Sequence, residues 1–98
     1  MNIGDVYLVQ PAILIGTSRY KIGCSEHYSN RIKNYGKATK KLRVFKCFHP
    51  YLLEARIKRI LKKKFRPVTG QEWFEGNEQS IISEFDNEVI KYLLEYKE

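Results

Sequence analysis

A chain of 98 residues with 43% hydrophobic and 13% aromatic side chains can form one compact domain with a modest core, and it is too short for two. Its longest apolar run, AILIG, is far too short for a membrane span, and its first residues lack the pattern of a secretory signal, so we expect a soluble, intracellular protein with no membrane partner. The formal net charge of +7 favours a polyanionic partner.

The first two predicted elements are strands. GDVYLVQ (Gly4–Gln10) is rich in β-branched and aromatic residues, and alternation places Tyr7 on the face opposite Val6 and Leu8. After a turn that contains Gly and Ser, RYKIGCS (Arg19–Ser25) forms a second strand. We expect the two strands to pair as an antiparallel hairpin with a long connection.

A helix and a third strand are predicted next. A serine at position 25 or 29 can cap a helix that ends near Gly36, with Tyr28, Ile32 and Tyr35 as its buried stripe. KKLRVFKCF (40–48) then has the composition of a strand.

The second half of the chain predicts two longer helices. Pro50 suits the first position of a helix that runs to about Phe65 and stops before Pro67. A loop with a short extended piece at 72–75 leads to a final helix, about 78–96, whose predicted buried stripe is Ile82, Phe85, Val89, Leu93 and Tyr96. Residues 1–98 are therefore predicted to be a single α/β domain, with a small, mainly antiparallel three-stranded sheet flanked by helices.

Charge is strongly segregated along the chain. Residues 31–66 contain 14 of the 18 basic side chains and a single acid, Glu54, whereas residues 67–98 contain eight acids and two lysines. A clustered positive charge attracts polyanions and favours nucleic-acid binding, although a solvated basic face that only maintains solubility gives the same count. The two cysteines, Cys24 and Cys47, have no spacing typical of a disulfide framework or a zinc site, so we expect reduced, half-buried side chains.

Several short motifs in this order resemble the GIY-YIG nuclease superfamily, in the branch common in phages and large DNA viruses. The resemblance rests on VYL, YKIG, RIKNYG, LLEARIKRILKKKF and GQEWFE, and it covers roughly residues 4–75. Two departures stand out: the first motif is Asp5-Val6-Tyr7, and the position usually held by tyrosine in the second is Lys21, with Tyr20 one residue earlier. Because neighbouring strand residues face opposite sides, Tyr20 cannot simply replace Lys21.

The resemblance implies a metal-dependent endonuclease that hydrolyses phosphodiester bonds of DNA. We expect cleavage by this domain alone to have low sequence specificity, because the sequence has no obvious recognition helix and no room for an appended DNA-binding module. The resemblance also implies Glu54 as the ligand of a single Mg²⁺ or Mn²⁺, Tyr7 as base or proton relay, and Arg31 as the phosphate-binding arginine. Lys21 is interpreted as a cation on the same strand face as Tyr7, which would favour ionisation of the phenol.

The residues themselves fit these roles but leave simpler ones open. On a helical wheel Leu53, Ile57, Ile60 and Leu61 form the inward face of the predicted helix from Pro50. Glu54 lies only about 20° from Leu61, so it points toward the sheet, although an ion pair with Lys58 one turn later is the plain alternative. Tyr7 and Lys21 also suit ordinary strand positions, and Arg31 also suits the C-terminal end of a helix.

Other polar residues carry weaker predictions. The basic side chains of the predicted helix from Pro50 to about Phe65 are expected to contact backbone phosphates, which carry no sequence information by themselves: Arg56, Lys58, Arg59, Lys62, Lys63 and Lys64. His27, His49 and Asn77 are minor candidates for the site. Trp73 and Phe74 are expected to pack on the same helix, with base stacking as the alternative.

Three functions therefore remain open from sequence. The first is the nuclease, and the second is a non-catalytic nucleic-acid-binding module on the same fold, which the altered second motif favours. The third is an interaction domain whose basic face meets an acidic protein, and a homodimer through the acidic C-terminal helix is left open.

Overall fold

The structure is a computed structural model that describes residues 3–68, 70 and 72–96. Its strands are β1 (Ile3–Gln10), β2 (Arg19–Ser25), β3 (Lys40–Phe48), β4 (Arg66–Pro67) and β5 (Trp73–Glu75). They form one sheet in the order β3-β1-β2-β5-β4, and every neighbouring pair is antiparallel. The predicted antiparallel α/β fold is confirmed.

The sheet has five strands where the sequence predicts three. The three predicted strands form one side of the sheet, with β1 between β2 and β3. The additional pair, β4 and β5, contains two and three residues, too few for alternation to reveal. The extended piece expected at 72–75 corresponds to β5.

Three α-helices cover the sheet. They are α1 (Tyr28–Arg31), which continues as a 3₁₀ turn over Ile32–Tyr35, then α2 (Pro50–Lys64) and α3 (Glu78–Glu95); a separate 3₁₀ turn spans Ala12–Leu14. As predicted, Gly36 follows the first helical segment with a positive φ of 99°, and Pro50 is the first residue of α2. No helix of the described residues is long and apolar enough to cross a membrane.

The hydrophobic core lies between one face of the sheet and helices α2 and α3. Leu53, Ile57 and Leu61 of α2 are fully buried, as the helical spacing predicts, and each contributes on the order of 2 kcal/mol by its burial. They pack with apolar residues of the sheet and of α3: Val6, Leu8, Tyr20, Ile22, Phe74, Ile81, Ile82, Phe85 and Tyr92. The opposite face of β1 is covered by α1 and its 3₁₀ extension.

The predicted stripe of α3 is wrong in its second half. Leu93 and Tyr96 are 49% and 46% exposed, whereas Glu88 and Tyr92 are buried. Two polar contacts cause the difference: Tyr92 donates a hydrogen bond to the carbonyl of Phe48, and Glu88 pairs with a cation of α2. Apolar spacing alone cannot detect a helix face held by polar partners.

Candidate functional site

Polar side chains from both faces of the sheet meet at the edge of β2. Strand β5 pairs with β2 only from Arg19 to Lys21, and the last contact is a hydrogen bond from the Ile22 amide to the Glu72 carbonyl. The second half of β2 is therefore free of β5 on that side. Helix α2 approaches this edge from one face of the sheet, and α1 approaches it from the other.

Tyr7 is the fully buried centre of the α1 face. Its hydroxyl lies 3.0 Å from the hydroxyl of Tyr35, and its ring packs against Tyr28 and Tyr35 with centroid distances of 5.4 and 6.2 Å. Gly23 lies opposite Tyr7 in β2, and a Cβ there would fall 2.6 Å from the phenolic oxygen. Glycine at position 23 thus makes room for the tyrosine.

The surroundings of Tyr7 favour its protonated form. Burial raises the pKa of Tyr7 far above its ordinary value, and the hydrogen bond with Tyr35 raises it further. Arg31 opposes this effect, and its own pKa is raised by its interactions with Tyr7 and Tyr35. The cation that acts on Tyr7 is therefore an exposed arginine at the end of α1, and Tyr7 at neutral pH is a hydrogen-bonding phenol.

Lys21 lies on the same face of the sheet as Tyr7, since the two residues pair with Val9 and Gly23 in the same hairpin. It is only 7% exposed. Its ammonium group forms an ion pair with Glu72 and lies 4.8 Å from the centre of the Trp73 ring. A buried lysine of this kind needs an acid partner, and Glu72 provides it.

Glu54 points toward the sheet from α2, with only 15% of its side chain exposed. One carboxylate oxygen accepts a hydrogen bond from the thiol of Cys24 at 3.4 Å, and the other lies 3.0 Å from the ammonium of Lys58. Both possibilities drawn from the sequence, the inward orientation and the helix ion pair, are therefore present together.

Lys58 joins the two halves of the site. Its ammonium lies 3.8 Å from Glu72 as well as 3.0 Å from Glu54, so a chain of charges runs from Glu54 through Lys58 and Glu72 to Lys21. The hydrogen bond from Lys21 lowers the pKa of Glu72, and the charges of Lys58 and Arg31 lower it further against the effect of burial. Glu72 is therefore ionised at neutral pH.

Cys24 is a protonated, unbridged thiol beside Glu54. Burial raises its pKa, and the charge of Glu54 raises it further, to about 12. As expected from the sequence, both cysteines are free and half-buried. At neutral pH Cys24 acts on Glu54 as a hydrogen-bond donor, because almost none of it is ionised.

An open pocket of about 420 Å³ adjoins Glu54 on α2. The residues that line it are Glu54, Ala55, Lys58, Arg59 and Lys62. Arg59, Lys62 and Lys63 form no ion pair with any other described residue. The pocket thus combines one carboxylate with cations that remain available to an anion.

Two cations of the same helix are engaged by α3. The guanidinium of Arg56 forms hydrogen bonds of 2.9 and 3.0 Å with Glu95 and lies 3.5 Å from the buried Glu88. Lys64 lies 2.8 Å from Glu84. The sequence places all six cations on one basic segment, whereas in the fold three of them, Lys58, Arg59 and Lys62, line the pocket. Arg56 and Lys64 pair with α3, and Lys63 does neither.

The donor set at Glu54 restricts the kind of metal that it would hold. Across residues 3–68, 70 and 72–96, no group of three or more His, Cys, Asp or Glu side chains is arranged around a common point. A single glutamate carboxylate suits an ion such as Mg²⁺, which keeps most of its water ligands, and does not suit a caged Zn²⁺ or Ca²⁺. Glu54 fits that description.

Sequence reasoning missed three residues of the site: Cys24, Tyr35 and Glu72. A lysine within an otherwise buried strand signals the need for a nearby acid, but the choice of Glu72 depends on the β2–β5 register. Asn77, a minor candidate, caps α3 by accepting a hydrogen bond from the Ser80 amide at 3.0 Å. His27 and His49 are both exposed.

Comparison with known proteins places the chain in one family. A family model described as the T5orf172 domain matches residues 4–91, which is most of the chain. Searches of curated proteins and of solved structures gave no significant match.

Proposed function

The chain belongs to the T5orf172 domain family, and from this premise we propose that it is a metal-dependent endonuclease of the GIY-YIG type. The family is associated with phage-type, nuclease-like domains, which indicates a role in nucleic-acid processing. The proposed reaction is hydrolysis of DNA phosphodiester bonds with Mg²⁺ or Mn²⁺ and with low sequence specificity.

One observation carries the proposal: Tyr7, Lys21, Arg31 and Glu54 come from four separate elements and meet around one strand edge. Arg31 links the two halves of the site. Its charge acts on Tyr7, which belongs to the hydroxyl pair, and on Glu72, which belongs to the ion-pair chain from Glu54 to Lys21. The tyrosine, the lysine and the glutamate are each shielded from solvent and held by a polar partner, namely Tyr35, Glu72 and Lys58. A concentration of ionisable groups with perturbed surroundings at one strand edge is typical of functional sites.

Each residue has a distinct chemical role in this proposal. Glu54 would hold the metal ion, which when bound stabilises charge on the phosphate and supplies water for hydrolysis. Arg31, exposed at the end of α1, binds phosphate oxygens with its planar fork of donors. Cys24 donates to Glu54 and so fixes the orientation of the carboxylate.

Tyr7 acts in proton transfer through its phenolic oxygen. Because Tyr7 is protonated at neutral pH, it begins as a donor rather than as a phenolate base. If Tyr7 gives its phenolic proton to a substrate oxygen, the hydroxyl of Tyr35, 3.0 Å away, can supply its own proton in return, so the pair forms a short relay. Lys21 contributes positive charge on the same face, held in place by Glu72.

DNA would approach along the open side of α2. Lys58, Arg59 and Lys62 line the pocket beside Glu54, and Lys63 adds a further free cation. These side chains contact phosphates without reading bases, which is the reason for low sequence specificity. Arg56 and Lys64, engaged by α3, would contribute less to DNA binding than the sequence alone predicts.

The test is nicking of supercoiled plasmid with Mg²⁺ or Mn²⁺, with an EDTA control. Glu54→Gln should abolish nicking, whereas Glu84→Gln, which removes a carboxylate paired with the same helix outside the site, should not. Equal nicking by both variants would contradict the assignment of Glu54.

A second candidate function is a non-catalytic nucleic-acid-binding module. The observation in its favour is that Glu54 is engaged by Lys58 at 3.0 Å, as in an ordinary helix ion pair. Salt-sensitive binding of DNA by a wild-type protein that nicks neither plasmid nor branched DNA, with either metal, would select this function.

A further inference from the structure

A second pocket lies on the sheet beside the candidate site. It has a volume of about 280 Å³ and is lined by Leu14, Arg19, Val68 and Trp73. Trp73 is held in β5, and its carbonyl accepts a hydrogen bond of 3.0 Å from the Val68 amide, so the two pocket walls are tied together.

The pocket is continuous with the cations of the candidate site. Arg19 and Lys21 are two residues apart in β2, so they project from the same face about 7 Å from each other. The ammonium of Lys21 lies 4.8 Å from the centre of the Trp73 ring, one wall of the pocket. The ammonium of Lys21 also lies 5.8 Å from the centre of the Tyr35 ring, and Tyr35 interacts with the exposed Arg31. A strand whose phosphate is bound by Arg31 can therefore present its neighbouring base to the pocket.

The lining has the chemistry of a base-binding pocket. Trp73 offers an aromatic surface, Leu14 and Val68 offer apolar walls, and Arg19 offers a guanidinium at the rim. The nearest acid to Arg19 is Glu75 at 3.9 Å, an exposed and loose pair that leaves donors available. A planar group with apolar faces and polar edges fits these three features together.

We propose that this pocket binds one unpaired nucleobase of the DNA strand whose phosphate lies at the candidate site. A base inside a regular duplex is stacked on both faces and cannot enter, so the pocket selects DNA with a bulged, flapped or single-stranded nucleotide. The inference rests on the proposed function for the position of the phosphate, but base binding itself requires neither metal nor cleavage.

The experiment uses the protein's single tryptophan, Trp73, as the reporter. Binding is measured in EDTA by fluorescence with three probes: a short DNA duplex, the same duplex with a one-nucleotide bulge, and the same bulge made abasic. Stacking on one aromatic side chain predicts that the bulge with its base quenches Trp73 and binds about tenfold more tightly than the other two probes. Equal affinity for the bulged and abasic probes would overturn the proposal.

Two matched variants locate the effect. Leu14→Phe fills the pocket, whereas Ile13→Phe makes a comparable change at its 89% exposed neighbour in the same 3₁₀ turn. Leu14→Phe should lose the preference for the bulged base and keep the affinity for duplex DNA, and Ile13→Phe should behave as the wild type. A base preference retained by a folded Leu14→Phe variant would place the base elsewhere.

The outcomes separate this inference from the proposed function. Circular dichroism shows whether each variant is folded. If a variant does not fold, the comparison of the bulged and abasic probes with the wild-type protein still tests whether the pocket binds a base. If the protein prefers the bulged probe but does not nick DNA, the base-binding pocket stands and the proposed nuclease activity is overturned. If it nicks DNA but shows no preference for the bulged probe, the nuclease activity stands and the base-binding pocket is overturned. Failure to bind any of the three probes would overturn both.

Discussion

The two sides of helix α2 carry similar charges and have different surroundings. On one side, Arg56 and Lys64 are matched by acids of α3. On the other side, Arg59 and Lys62 line a pocket that contains a single carboxylate, Glu54. The first side fastens two helices together, and the second leaves its cations for a ligand.

This comparison shows why charge counted along a chain overstates a binding face. The acidic C-terminal segment folds back on the basic segment, and α3 supplies partners for four of its cations: Lys40, Arg43, Arg56 and Lys64. The cations that remain available to a polyanion are those in the part of the basic segment that α3 does not contact.

The largest effect is expected on stability from Arg56→Ala. The change leaves Glu88, whose side chain is 7% exposed, with Lys91 at 3.4 Å as its remaining cation and should cost about 2 kcal/mol in the free energy of unfolding. Arg59→Ala, one turn away and free of ion pairs among the described residues, should cost less than about 0.5 kcal/mol. Urea denaturation measures both, and similar losses would contradict the division of the helix.

The same division predicts the reverse order for DNA binding. Replacement of Arg59 and Lys62 by alanine should lower the slope of log affinity against log salt by about 2, since each phosphate contact contributes about 0.9. Replacement of Lys40 and Lys64, which are paired with Glu78 and Glu84, should change that slope much less. A salt titration with one duplex measures the slope for both double variants. Equal slopes in the two double variants would mean that the DNA-binding face is not localised on the side of α2 that contains Arg59 and Lys62.

A smaller effect is expected from Glu72→Gln, in the dependence of stability on pH. Because the folded state lowers the pKa of Glu72, its stabilising contribution is present above the unfolded pKa of about 4.5 and is lost as the pH falls through the folded value. Glu72 is half exposed, so the contribution should be about 0.5 to 1 kcal/mol. Unfolding measured at pH 7 and pH 3 should show a flatter profile for the variant, and an unchanged profile would remove Glu72 from the network.

The smallest effect concerns the thiol of Cys24. With a pKa of about 12, it should react with iodoacetamide far more slowly at pH 8 than the same residue in urea-unfolded protein. Glu54→Gln removes a negative charge that raises this pKa, so alkylation of the folded protein should accelerate modestly. Mass spectrometry of the Cys24 peptide separates it from Cys47, and identical rates in both proteins would mean that Glu54 does not face the thiol.

The sequence predicted those features that depend on local pattern. Strand β2 has the predicted bounds, and α2 buries Leu53, Ile57 and Leu61 of its predicted inward face. Ile60, the fourth residue of that face, is only half-buried. The predicted orientation of Glu54 followed from the same periodicity, because the residue lies on the margin of that face.

Features that depend on contacts between distant segments were not predictable. The pairing of Lys21 with Glu72 requires the β2–β5 register, and Arg56 engages α3 only because that helix packs across α2. The burial of Glu88 in place of Leu93 has the same origin, since an ion pair across two helices leaves no periodic trace in either one.

The most direct measurement of the central claim is binding of Mn²⁺, followed by electron paramagnetic resonance, to the wild type, Glu54→Gln and Glu84→Gln. Mn²⁺ reports binding without any cleavage, and the two variants remove one carboxylate each, inside and outside the site. The account predicts that Glu54→Gln alone loses the bound Mn²⁺ signal while it remains folded. Binding that is equal in all three proteins would contradict the assignment of Glu54 as the metal ligand and, with it, the proposed nuclease.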